Sequence, residues 1–169
     1  MEQIIQKNLD QMLALWFQET INTYPQQTAR ILGKDANRFD NPVGAVTRET
    51  LEAVLKLLTG PHDRNALETA LDPIIRIRAV QSFDPADAVS FVFALKEIGC
   101  KFLDEKDHIH FHRAVDAVAL AAFNRLMKCK EDIFLLKATE SKRRIHRAFE
   151  RAGLVEELSE EDLLGSYKS

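Results

Sequence analysis

The chain of 169 residues is long enough for one domain with a sizeable core, since 46% of its residues are hydrophobic and 29% are charged. Its net charge of −3 predicts no general attraction to nucleic acid or to an anionic membrane surface. Its two cysteines, Cys100 and Cys129, are too few for a disulfide framework. Because no secretory signal and no transmembrane stretch is visible either, we expect a cytoplasmic protein.

Apolar residues recur every three or four positions in the first part of the chain, which predicts amphipathic helices. The first predicted helix covers residues 5–24 and ends at Pro25. A short helix over residues 26–32 is stopped by Gly33, and a polar loop follows over residues 34–40.

The next predicted helix opens at Asn41-Pro42, a helix cap followed by proline, and continues to Leu58. Gly60-Pro61 ends it.

A further helix is capped by Asp63 or Asn65. At Asp72-Pro73 this helix either kinks or gives way to a new one. After Pro73 we expect the inward-facing residues to be Ile74, Ile77 and Val80.

The stretch Asp84–Phe102 is expected to be the central helix of the domain. Asp84-Pro85 opens it as a capped helix would open, and apolar residues then occupy almost every side. A helix without a polar face belongs in the middle of a packed domain, so the one-sided helices would surround this one.

The last helical pattern is unusually long. A polar connection is expected over residues 104–110. An apolar stripe then begins at Phe111 and continues to Leu136, and it resumes from Ile145 to Ala152. An unbroken helix of this length would measure about 60 Å, whereas a globule of this size is about 30–35 Å across. The helix therefore either breaks or projects and packs on something else. The stripe consists of Phe111, Val115, Val118, Ala122, Leu126, Cys129, Ile133, Leu136, Ile145, Phe149 and Ala152.

These patterns predict an all-α protein, a single globular bundle of about six helices over residues 1–152 with an acidic tail over residues 153–169. Two arrangements would cover the end of the long helix. A second copy of the chain would make a homodimer, which is the arrangement we expect. Alternatively, the leucines and acidic residues of the tail would fold back onto it.

The segment Asp72–Lys96, DPIIRIRAVQSFDPADAVSFVFALK, resembles the signature of the RsbRD N-terminal domain family, the sensory domains of bacterial RsbT co-antagonists. Trp16, Thr23–Pro25 and Arg38–Gly44 match as well, so the similarity covers about residues 4–150. The motifs FDNPVG and RIRAVQSF together make the match fairly specific.

This resemblance implies a helical signal-input domain related to haem-free globin-like folds, which pairs as a dimer. In related co-antagonists a STAS domain follows and binds partners in the stress-signalling complex. Since this chain stops at Ser169, the resemblance implies a free-standing sensory or adaptor domain without one. The family supplies no catalytic residues to carry over.

The sequence HIHFH places His108, His110 and His112 at alternate positions, so an extended segment would present three imidazoles on one side, as transition-metal ligands can lie. Cys100, Cys129 or Asp104 could complete such a site. We nevertheless expect no metal, because the number of ligands is uncertain and the fold needs none. We expect no haem, since no helical histidine has a plainly apolar pocket around it; the histidines considered are His62, His112 and His146.

Two groups of arginines could contact a ligand or partner. Arg76 and Arg78 lie two positions apart, so a helix points them to different faces. One would pair with Asp84, Asp87 or a loop carbonyl, and the other would receive an anionic ligand or partner. Arg143, Arg144 and Arg147 belong to a basic run that we expect to be solvated or paired within the chain.

No paired carboxylates, glycine-rich phosphate loop, catalytic triad order or CxxC pair is present in the sequence, so we expect no enzyme. Two functions remain. The first is a signal-input or adaptor module that binds an unknown signalling protein by helix packing. The alternative is a small-ligand or metal sensor that uses a pocket between helices or the histidine stretch.

Overall fold

The computed structural model describes residues 1–34, 39–60, 63–81 and 83–153. Within these ranges it contains helices and no strand, which confirms the all-α prediction, although with eight helices where about six were expected. The relation to globins stays a prediction. No helix among the described residues is long and apolar enough to cross a membrane. The helices are α1 (Glu2–Lys7), α2 (Leu9–Asn22), α3 (Gln26–Leu32), α4 (Pro42–Leu57), α5 (Arg64–Val80), α6 (Pro85–Ser90), α7 (Ala94–Phe102) and α8 (Glu105–Arg151).

The first predicted helix is divided into α1 and α2 at Asn8. The Asn8 side chain donates a hydrogen bond to the carbonyl oxygen of Ile4 at 2.8 Å, and such local bonds compete with the regular helical pattern. On α2 the residues that repeat at helical spacing are buried, as the sequence predicts. They are Met12, Leu13, Trp16, Phe17, Thr20 and Ile21.

Asn41 caps α4 as predicted. Its side-chain oxygen accepts a hydrogen bond from the Gly44 amide at 2.9 Å, and its amide nitrogen donates to the carbonyl oxygen of Leu32 at 2.8 Å. A Cβ atom on Gly44 would lie 2.3 Å from that nitrogen. The FDNPVG motif therefore ties the end of α3 to the beginning of α4, and its glycine leaves room for the asparagine.

Asp63 caps α5 by accepting a hydrogen bond from the Asn65 amide, and the helix runs unbroken through Pro73. The possibility of a new helix at that proline is therefore excluded. Ile74 is buried as predicted, but Val80 is exposed and Arg78 is buried in its place. The α5 residues packed inward are Leu67, Leu71, Ile74, Ile75, Arg78 and Ala79.

The prediction of one central helix over residues 84–102 is wrong. The chain forms α6, a turn over Phe91–Phe93 and α7. In the turn, backbone hydrogen bonds reach back three residues, and the Phe91 carbonyl oxygen accepts a bond from the Trp16 indole at 2.8 Å. Val92 is fully buried, whereas Phe93 is 46% exposed, so the stretch does have a face towards solvent. Asp84 occupies the cap position of α6 without a side-chain cap bond.

The predicted polar connection over residues 104–110 is also wrong, because α8 begins at Glu105. Its apolar stripe is buried up to Cys129, and Phe111 packs directly on Gly99 of α7, where a Cβ atom would lie 2.2 Å from the ring. Ion pairs join α8 to α5: Arg125 binds Asp72, and Lys128 binds Glu68 at 2.9 Å.

By its internal contacts the chain forms two units, residues 1–130 and 131–169. The first unit holds the buried core. In the described part of the second, residues 131–153, every residue is exposed except the half-buried Ile133. The helix does not break, so of the two predicted alternatives the structure shows the one in which α8 continues past the buried core, and Leu136, Ile145 and Phe149 on it are exposed. The predicted acidic tail lies outside the described residues from 154 onward, and the boundary at residue 152 stays a prediction.

Candidate functional site

Arg78 is a charged side chain that is fully enclosed in the first unit, with 0% of its surface exposed. Its guanidinium donates hydrogen bonds to the Thr23 hydroxyl at 2.7 Å and to the Thr20 carbonyl at 3.2 Å. It also reaches the carbonyl oxygens of Asp87 and Ala88 at 3.3 and 3.4 Å. Arg78 therefore joins the end of α2 to α6. The sequence predicted pairing with Asp84, Asp87 or a loop carbonyl, whereas the carbonyl partners observed belong to helices, with Asp87 contributing its backbone oxygen.

Aromatic rings surround this guanidinium. Its central carbon lies 4.6 Å from the centre of the Phe91 ring, 4.9 Å from Phe83 and 5.0 Å from Tyr24. Cation–π attraction is strong where water is excluded. Phe91 in turn stacks on Trp16, with ring centres 6.1 Å apart. Thus the RIRAVQSF motif supplies both the cation and one of the rings that cover it.

No aspartate or glutamate among the described residues forms an ion pair with Arg78; its hydrogen-bond partners are neutral oxygens. Burial lowers the pKa of the Arg78 guanidinium below its ordinary value. Burial also raises the pKa of the Tyr24 hydroxyl, against the opposing effect of the Arg78 charge. The site is therefore a buried positive charge with a neutral phenol beside it.

Three buried polar atoms next to this charge make no hydrogen bond of full geometry within the described part of the chain, although Arg78 and Gln81 lie close enough to the Tyr24 hydroxyl to oppose the rise that burial causes in its pKa. The three atoms are the Tyr24 hydroxyl, the Nε of Arg78 and the side-chain oxygen of Gln81. Tyr24 and Gln81 line a pocket of about 520 Å³, which we call the Tyr24 pocket. Its lining residues are Thr23, Tyr24, Pro25, Thr28, Gln81 and Phe83.

Arg76 lies on the exposed side of α5 and binds the Asp72 carboxylate at 2.8 Å. Burial alone would raise the pKa of Asp72, but hydrogen bonds from Arg76 and Arg125 outweigh it, and this pKa lies below its ordinary value. Arg76 and Arg78 thus point to different faces, as their spacing predicts.

The histidine stretch is helical, which removes the extended geometry on which the metal hypothesis depended. His108 and His112 share one face with parallel rings 6.3 Å apart, whereas the intervening His110 is exposed. The Cys100 sulfur lies 3.8 Å from Nδ1 of His108 and 3.6 Å from Nε2 of His112. Nε2 of His108 lies 3.0 Å from the Leu103 carbonyl oxygen and donates the hydrogen bond between them, because a carbonyl oxygen can only accept.

No group of three or more His, Cys, Asp or Glu side chains in the described residues is arranged to hold a metal ion. Of the histidines considered for haem, His112 is half-buried against Cys100, His146 is exposed and within 3.1 Å of Glu150, and His62 lies outside the described residues. The absence of metal and haem from the protein stays a prediction.

Exposed apolar side chains form two further surfaces. In the first unit, Phe93 of the α6–α7 turn and Leu120, Phe123 and Met127 of α8 are exposed, and we call them the Phe123 face. Most of its residues surround a shallow pocket of about 380 Å³, which is lined also by Val89, Asp116 and Ala119.

In the second unit the exposed apolar residues are Phe134, Leu135, Leu136, Ile145 and Phe149, which we call the Phe134 segment. Each exposes about half or more of its surface. Arg143, Arg144 and Arg147 are exposed on the same stretch of α8, as predicted for a solvated basic run. That a second copy or the tail covers these apolar residues stays a prediction.

Sequence reasoning identified Arg78 but not the residues around it. Thr23 and Tyr24 lie more than 50 positions from Arg78, and Gln81 and Phe83 follow the end of α5. The signal that could have found them is that the family motifs Thr23–Pro25 and RIRAVQSF supply all of these residues.

The described residues thus form an all-α domain with a buried cation and two exposed apolar surfaces. Residues 10–140 match the model of the family described as the RsbT co-antagonist protein RsbRD N-terminal domain. The chain belongs to this family, which is one of stress-signalling sensory domains and not a known enzyme family. No curated protein and no solved structure matches the chain.

Proposed function

We propose that this chain is a non-enzymatic signal-input or adaptor module that acts in the cytoplasm by protein–protein binding through helix packing. Its first partner is a second copy of itself, and the homodimer then binds a signalling protein. No nucleic acid or membrane takes part, in keeping with the net charge of −3.

The observation that carries this proposal is the exposed apolar surface of α8. Leu120, Phe123 and Met127 recur at steps of three and four, on a different side of α8 from the buried stripe. Contiguous exposed apolar surface is normally covered by a partner. A two-fold copy is the commonest cover, because the same face then meets itself.

Substitutions on α8 test which surface forms the dimer. Phe123→Glu represents the Phe123 face, Phe134→Glu represents the Phe134 segment, and Ser141→Glu is the control because it adds the same charge at an exposed polar position of the helix. Each phenylalanine contributes about 1.5–3 kcal/mol when buried, so we expect at least one variant to raise the dimer dissociation constant about tenfold or more.

Sedimentation equilibrium measures these dissociation constants, and circular dichroism checks that each variant is folded. The proposal requires that Ser141→Glu dimerise as the unaltered chain does. Equal dimerisation of all three variants would place the interface elsewhere and contradict the role given to α8.

A small-ligand sensor is the second candidate function, and the Tyr24 pocket with its buried charge favours it. A sensor of metal ions has no comparable support in the described residues.

A further inference from the structure

We propose that the Tyr24 pocket binds a small organic carboxylate whose acid group is held by the buried Arg78 and whose apolar part lies against the aromatic rings. This inference concerns a site separate from the α8 surfaces and does not depend on dimerisation.

The charge of the site favours an anion. Arg78 keeps its positive charge in proteins even when it is buried. Enclosing such a charge is costly unless it is paired, and here only neutral oxygens and ring faces compensate it. A carboxylate entering this pocket would complete an ion pair in a region where water screens little.

Two buried donor groups of the site indicate where the acceptor atoms of a ligand would lie. The Tyr24 hydroxyl and the Nε of Arg78 each carry a hydrogen that makes no hydrogen bond of full geometry among the described residues, and Arg78 and Gln81 approach the hydroxyl without completing one. Tyr24 is only 7% exposed, and the hydroxyl of its neighbour Thr23 already accepts a hydrogen bond from Nη2 of the guanidinium. The two oxygens of one carboxylate can accept both hydrogens.

Gln81 provides the way in. It lies immediately after α5 in an extended conformation and is half-buried at the pocket, so its side chain can turn outward without disturbing a helix. Its own oxygen has no hydrogen-bond donor in place, so the movement gives up only the approach of the Gln81 side chain to the Tyr24 hydroxyl. The incoming carboxylate takes the space that the Gln81 amide leaves.

The walls and size of the pocket define the rest of the ligand. Tyr24, Pro25 and Phe83 offer apolar surface, and Tyr24 and Phe83 meet edge to face at 5.1 Å. A volume of about 520 Å³ lies in the range of small-molecule sites. The ligand class is therefore a monocarboxylic acid with a compact ring or a short chain.

Matched pairs of probes test the proposal on the full chain. Benzoate and hexanoate carry the required charge, whereas benzamide and hexanamide have nearly the same shapes without it. Titration calorimetry or protein NMR should detect at least one acid with a dissociation constant of about 1 mM or tighter. The matching amide should bind at least about tenfold more weakly, because it lacks the charge-assisted bonds.

The variant Tyr24→Phe separates this site from an apolar cavity or a pocket filled with water. It should weaken the acid at least about tenfold through the lost hydrogen bond. It should leave the midpoint of thermal unfolding unchanged or raised, since the hydroxyl makes no hydrogen bond of full geometry without a ligand. Arg76→Gln is the control, because it removes the same charge from the exposed face of α5 and should leave the acid affinity unchanged.

Three results would overturn the proposal: equal binding of acid and amide, no binding of either acid at about 10 mM, or equal acid affinity in Tyr24→Phe. A lowered unfolding midpoint in Tyr24→Phe would also count against it, since the hydroxyl would then be bonded to internal water. None of these results bears on the dimer, so the two proposals fail separately.

Discussion

Asp72 shows at the scale of single residues how charge is used in this domain. It accepts hydrogen bonds from Arg76 on its own helix and from Arg125 on α8, and so joins two elements of the first unit. Arg78, by contrast, is compensated by neutral oxygens and by rings. The exposed side of α5 therefore carries paired charges, and its buried side carries an unpaired one.

The stability of the protein should depend on the ionisation of Asp72. Its pKa is lower in the folded chain than in the unfolded chain, where an aspartate titrates near about 3.9. The stabilisation is therefore fully present above about pH 4 and is lost as the pH falls through the folded pKa. We expect Asp72→Asn to lower the free energy of unfolding by about 1–2 kcal/mol at pH 7 and by less at pH 3.

Urea unfolding at the two pH values measures this difference. Asp104→Asn is the control, because Asp104 is largely exposed and its contact with Lys106 is long, at 3.6 Å. An equal loss at pH 7 and pH 3 would show that Asp72 acts through packing rather than through its charge.

The division of residues 84–102 into α6 and α7 is the main feature at the scale of elements. It turns the Phe91 carbonyl towards Trp16 and places Val92 in the core, while Phe93 faces solvent beside Phe123. The apolar residues of this stretch therefore have two roles. Some of them fill the core, and others belong to the Phe123 face.

A pair of substitutions in the turn distinguishes these roles. Val92→Asp buries a charge without a partner and should prevent folding or cost several kcal/mol. Phe93→Asp should retain the melting temperature within a few degrees and should weaken the dimer, because Phe93 is exposed. Circular dichroism melting compares the two variants; equal loss of structure in both would mean that Phe93 is part of the core.

Helix boundaries that depend on local chemistry could be predicted from the sequence. The caps at Asn41 and Asp63 and the stop after Leu32 are in place because they rest on neighbouring residues alone. The break after Ser90 was missed because it depends on Trp16, far away in the chain. The surroundings of Arg78 were missed for the same reason, since sequence spacing does not reveal which rings a buried cation will meet.

The oligomeric state of the whole molecule depends on the end of α8, which is unbroken to Arg151 and exposed beyond residue 130 except at the half-buried Ile133. The apolar spacing in the sequence predicted how far this helix extends. It also predicted that the apolar side chains at its end require a cover. It left open whether a second copy or the chain's own tail provides the cover. Residues 154–169 lie outside the described residues, so that choice is made by experiment.

The proposed homodimer is tested by light scattering at micromolar concentration. The measurement compares the full-length chain with a chain that ends at residue 152. We predict about twice the chain mass of 19.3 kDa for the full-length protein, and a dimer for the shortened chain as well. A full-length monomer that dimerises only when residues 153–169 are removed would show that the tail covers α8, and would contradict the proposed homodimer.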